Sequence, residues 1–166
     1  MEEFAMSRAA VLEKASLSCL NDPRLFREFA YVDGAWTAGS DAASIDVHNP
    51  ADGRRVGSVP ALAAGDIEKA ISAAHRAFGQ WAALLPAGRS RLLQRWFALI
   101  VDHREDLARL MVEEQGKPWR EALGEIDYAA SFVEFYAEET KRLNVESVTS
   151  HLADAETLLM RQPCGV

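Results

Sequence analysis

Apolar side chains along this chain alternate first, then recur at a helical period, then alternate again. Asn21-Asp22-Pro23 reads as a helix start, with Asp22 as the cap and Pro23 in the first turn, where no N–H is needed. A short helix from Arg24 to about Glu28 gives way to Tyr31–Thr37, where Asp33-Gly34 sits between β-formers. That pair is a strong hairpin signal, because both central residues of such a turn need positive φ. Short strands over 44–47 and 54–59 flank Asn49-Pro50-Ala51-Asp52-Gly53, a run dense in turn residues. The first sixty residues therefore predict a small β meander.

From Asp66, a candidate cap, the apolar positions Ile67, Ile71, Ala74, Phe78 and Trp81 fall on one helical face. Pro86 and Gly88 interrupt the period. A second amphipathic run covers about 89–103, with Leu92, Leu93, Trp96, Leu99 and Ile100 facing inward. A third, 105–114, carries Leu107, Leu110 and Met111 and stops at Gly116-Lys117-Pro118, the expected punctuation of a helix end. A fourth runs from about 119 to 142, interrupted or bent near Gly124. Its apolar residues Ile126, Ala129, Ala130, Phe132, Val133, Phe135 and Tyr136 cover more than one face, which predicts a helix sandwiched between layers. The tail returns to strands over 145–149 and 156–161. Residues 1–20, Ala/Ser-rich and weakly apolar, read as a frayed helix or flexible leader.

With 166 residues, 49% hydrophobic and 26% charged, the chain has an ordinary globular balance and suits one domain with or without a tail. The formal charge of −7 runs against the concentrated basic face a nucleic-acid partner requires. No stretch reaches the roughly 20 apolar residues of a membrane span, and the acidic start lacks a basic secretory n-region. Two cysteines, Cys19 and Cys164, make no disulfide framework, so the cytoplasm is the expected compartment.

The residues supply few parts for catalysis. His48, His75, His103 and His151 are scattered, with no CxxC or HExxH to hold a metal. No GxxxxGK[ST], GxGxxG or GxSxG occurs, so neither a phosphate cradle nor a nucleophile elbow is present. Cys164, with Arg161 as its nearest cation, reads as a small buried hydrophobe rather than a reactive thiol. Glu113-Glu114 oppose the helix dipole near a C-terminus. They form either a solvated acidic face or a carboxylate turned to bind a cation or cap a neighbouring turn. Tyr128, Phe132, Phe135 and Tyr136 are either plain core or the wall of a channel.

In order and spacing, a series of short stretches from Asn21 to Val166 resembles the N-terminal third of aldehyde dehydrogenases, and most of all the succinate-semialdehyde dehydrogenase branch. These are Tyr31-Val32-Asp33-Gly34-Ala35-Trp36, Asn49-Pro50-Ala51-Asp52-Gly53, Glu114-Gln115-Gly116-Lys117-Pro118, Gly124 to Phe132 (GEIDYAASF), Phe135 to Glu139 (FYAEE), and Arg161 to Val166 (RQPCGV). The resemblance implies an α/β fold of which 21–166 form an incomplete N-terminal, cofactor-binding and oligomerisation region: a small β meander, amphipathic helices, then β-arm strands. The nucleotide-binding sheet and catalytic domain would be largely missing. It further implies NAD(P)-dependent oxidation of a short semialdehyde, with NAD or NADP in the complete enzyme and none bound to this chain. No catalytic, cofactor-binding or metal-binding residue carries over. By the same resemblance Tyr128 and Phe132 border the substrate tunnel. Glu156, Thr157, Leu158, Leu159, Met160 and Arg161 form an oligomerisation strand of a homo-oligomer. Glu114 and the backbone near His48 approach a monovalent-cation site of some members. The chain alone is expected to be inactive. The alternative is a non-catalytic interaction module pairing through its β arm.

Overall fold

The computed structural model describes residues 19–142 and 144–166, so the expected leader lies outside them except for Cys19 and Leu20. A single 3-10 turn, Pro23–Leu25, follows Asp22, whose carboxylate accepts the Arg24 N–H at 3.0 Å as the expected cap. Strands β1 (Ala30–Val32) and β2 (Ala35–Thr37) pair antiparallel around Asp33 and Gly34, at φ 51° and 81°. This is the turn the Asp-Gly pair requires. Strands β3 (Ser44–His48) and β4 (Arg55–Pro60) form a second antiparallel pair with a bulge at Val47/His48. The two pairs are separate two-stranded sheets rather than one meander.

Four helices follow: α1 (Ala64–Ala83), α2 (Pro86–Asp102), α3 (Arg104–Gln115) and α4 (Trp119–Glu139). Two starts differ from the sequence reading. Helix α1 begins before Asp66, whose carboxylate instead accepts the Ser40 backbone N–H and hydroxyl, both at 2.8 Å. Helix α2 begins at Pro86, which opens the helix instead of breaking it, because a first-turn proline sacrifices no hydrogen bond. Helix α3 ends on Gly116 at φ 67°. Helix α4 runs through Gly124 without a break.

Helix α4 packs on both α2 and α3. Ala108, Ala122 and Ile126 form the α3–α4 core with Ile100, Leu107, Met111, Val112 and Leu123 around them. A second cluster joins Leu20 and Val56 to Phe26, Val47 and Leu110 and so fastens the β3–β4 hairpin to α3. Alanines 70, 73, 74 and 77 of α1 and the first hairpin line opposite sides of a hollow of about 290 Å³, and an Arg76–Asp33 ion pair at 3.0 Å links the two elements. The last pair, β5 (Glu146–Val148) and β6 (Thr157–Leu159), is antiparallel and exposed at every position.

Candidate functional site

Helix α4 carries its large and small side chains on opposite faces. Ala122, Ile126, Ala130 and Ala137 are buried. Tyr128, Phe132, Phe135 and Tyr136 are exposed by 64%, 46%, 57% and 57%. The small residues let α2 and α3 approach closely, and this leaves the rings outward. The expected sandwich is thus covered on one side only among the described residues, and Phe132, Phe135 and Tyr136 do not face the core. Within the outer face, Tyr128 meets Phe132 edge-on at 4.8 Å and Phe135 meets Tyr136 edge-on at 5.3 Å. Such tilted pairs match ring quadrupoles and hold the rings in place.

The rotation of α4 is pinned by charge. Arg104, the first residue of α3, forks the Asp127 carboxylate at 2.5 and 2.6 Å, next in sequence to Tyr128. The guanidinium hydrogen bonds hold the Asp127 carboxyl below its ordinary value against a smaller opposing effect of desolvation. At the base of α4, Lys117 pairs with Glu125. At its far end the Thr140 hydroxyl, which donates to the Ala137 carbonyl at 2.9 Å, lies 3.3 Å from the Pro86 carbonyl, and Gln94 donates to Glu138 at 3.0 Å. Helices α2 and α4 therefore run antiparallel.

Two further sequence candidates resolve differently. Glu113 turns to the β3–β4 turn, where it accepts from the Asn49 side-chain amide at 3.0 Å and pairs with Arg54. It ties down a turn and does not decorate a solvated face. Glu114 and His48 are exposed, and no group of three or more His, Cys, Asp or Glu gathers to hold a metal among the described residues. Cys164 is exposed and lies outside any strand, so the buried-hydrophobe reading does not hold.

Of the six arm residues, Thr157, Leu158 and Leu159 form β6, while Glu156, Met160 and Arg161 flank it. Leu158, Leu159 and Met160 are 50–59% exposed, an apolar edge with unpaired backbone groups on its outer side. Sequence reasoning missed Asp106. This buried carboxylate accepts the backbone N–H groups of Asn21 and Asp22, both at 2.8 Å, and the Asn21 side-chain amide at 3.1 Å. A contact eighty-five residues apart leaves no local pattern. Among the described residues the strands make only antiparallel pairs. A dinucleotide sits at the carboxyl end of a parallel sheet beside a glycine-rich turn. The described strand pairs do not by themselves form such a site.

The sequence pattern of the aldehyde dehydrogenase family matches residues 36–166. The chain is 48% identical over 147 residues to succinate-semialdehyde dehydrogenase [NADP(+)] GabD of Escherichia coli, covering 89% of this chain and 30% of that one. It is 47% identical over the same length to a glutarate-semialdehyde dehydrogenase of Pseudomonas aeruginosa, with the same coverage. The fold superposes on the crystal structure of an E. coli NADP-dependent enzyme with a TM-score of 0.82 and 47% identity, over 87% of this chain and 30% of that one. The chain thus spans about 30% of the length of the relatives it matches.

Proposed function

The chain belongs to the aldehyde dehydrogenase family, and from that membership we propose that residues 21–166 are an incomplete N-terminal part of the cofactor-binding and oligomerisation region, without the cofactor site itself, of an enzyme oxidising a short semialdehyde, succinic semialdehyde foremost, in the cytoplasm. The carrying observation is the 48% identity over 147 residues to an enzyme named for that substrate. NAD or NADP, held elsewhere in the complete enzyme, supplies the hydride acceptor. Residues 1–166 bind neither and bring no nucleophile.

What this region contributes is shape. Tyr128 and Phe132 form part of the substrate-tunnel wall: two exposed, mutually braced rings on a helix locked by Arg104–Asp127 can exclude water from a small aldehyde. Residues Glu156 to Arg161 pair with another subunit through the open edge of β6 in a homo-oligomer. No nucleic-acid or membrane partner is involved; no helix among the described residues is long and apolar enough to cross a membrane.

The test compares two preparations. The 166-residue chain, mixed with succinic semialdehyde and NAD or NADP, gives no reduced nicotinamide. The same chain joined to the remainder of the E. coli relative does. Turnover by the chain alone, or a soluble but inactive hybrid, overturns the reading. The exposed edge of β6 supports a second reading, a non-catalytic module that pairs with a full-length dehydrogenase. A stoichiometric complex between the two on size-exclusion chromatography would favour it.

A further inference from the structure

A cleft of about 590 Å³ opens where the end of α1, the first turns of α2, the end of α4 and the chain after β6 meet. Three guanidiniums line it, Arg89, Arg142 and Arg161, against a single carboxylate, Glu139. Arg142 is paired with that carboxylate. Arg89 donates through one nitrogen to the Leu84 carbonyl at 2.5 Å and the Ala82 carbonyl at 3.4 Å, which closes the end of α1. Arg161 has no hydrogen-bond or ion-pair partner among the described residues. In a chain of net charge −7 this local excess of positive charge stands out. Like charges gathered around one hollow repel unless an anion lies among them.

The rest of the lining is apolar. Trp81, Phe135 and Tyr136 present 40%, 57% and 57% of their surface to the outside. A small inorganic anion would satisfy the arginines and leave these rings uncovered. A segment of polypeptide carrying one carboxylate among apolar side chains would satisfy both, and arginine beside aromatic rings is the composition of a docking centre. The relatives extend over more than three times the matched length.

We propose that this cleft receives a carboxylate-bearing, otherwise apolar segment of the polypeptide that makes up the rest of a semialdehyde dehydrogenase. Arg161 and Arg142 fork its carboxylate, and Trp81, Phe135 and Tyr136 cover its apolar neighbours. The identity of the partner rests on the family reading above; the charge chemistry of the cleft does not.

Two measurements separate these. Citrate, compared with sodium chloride at equal ionic strength, should raise the melting temperature of the 166-residue chain by about 3 °C. The rise should vanish in R161E and shrink in R161Q. An equal response to both salts, or one that R161E retains, overturns the cleft as a carboxylate site. Co-expression with the remaining portion of the E. coli relative should yield a one-to-one complex whose recovery falls at least tenfold in the R142E/R161E double variant. A citrate effect without a complex, or a complex indifferent to the double reversal, overturns the assigned partner.

Discussion

Ser90 and Asp106 are both buried polar residues, and the chain treats them in opposite ways. The Ser90 hydroxyl, fully buried in α2, has no hydrogen-bond partner among the described residues. Ser90→Ala keeps the small size that α4 requires and removes an orphaned donor, so it should raise unfolding stability by about 1 kcal/mol in denaturant titration. Asp106 is satisfied three times over. Desolvation pushes its carboxyl up, and the Asn21 and Asp22 N–H groups more than reverse this, leaving it below the ordinary range. Asp106→Ala should cost about 2–4 kcal/mol and free the chain around Asn21. Asp66 provides the matching pH prediction. The Ser40 backbone N–H, then the Ser40 hydroxyl, bring its carboxyl down to about 2 from 3.8. Its contribution is therefore complete above the unfolded value and lost as pH falls from about 4 towards about 2. Asp66→Asn should flatten the acid limb of an unfolding-versus-pH curve in that window. At this scale the sequence announced Asp22, whose cap depends on a neighbour two residues away. It offered a turn-capping role for Glu113 only as one of several alternatives and did not announce Asp106, because the partners of both are brought to them only by folding.

Helix boundaries were legible where the chain punctuates itself, as at Gly116-Lys117-Pro118, and misplaced where a residue serves two ends, as Pro86 does. Helix faces were harder to read. Leu92, Trp96 and Leu99 on α2 share the predicted inner stripe with Leu93 and Ile100, yet they are 48–56% exposed. Ile67 and Ile71 on α1 are likewise outward, since α1 turns its alanines to the first hairpin. Periodicity shows that a stripe exists; which neighbour it meets depends on chain far away in sequence. Gly116 joins two elements at one point. Its φ is 67°, and a Cβ added there would lie 2.7 Å from the Pro50 ring. Gly116→Ala should thus strain both the α3 terminus and the β3–β4 turn, at a cost of more than about 1 kcal/mol in thermal or chemical unfolding.

For the molecule as a whole, three separate two-stranded sheets and a four-helix stretch among the described residues leave outward many of the side chains that would normally make a core. Tyr128, Phe132, Phe135 and Tyr136 sit on one face of α4, and Leu92, Trp96 and Leu99 on α2. A preparation of these 166 residues should therefore bind hydrophobic dye and melt below about 65 °C, the upper end of the mesophilic range. A sharp transition above that, without dye binding, would mean these faces find cover from one another. The order of the strands and helices could be read from local signals and the α/β class came from the family resemblance, but the separation of the strand pairs could not be read, because pairing partners are not encoded in spacing. The anchorage of Leu20 has a practical corollary for trimming the amino end. Its side chain fills the pocket of Val56 and Phe26, and the next two amides feed Asp106. Two truncated chains that differ only by residues 20–22 should differ sharply in folding, a cliff rather than a gradient.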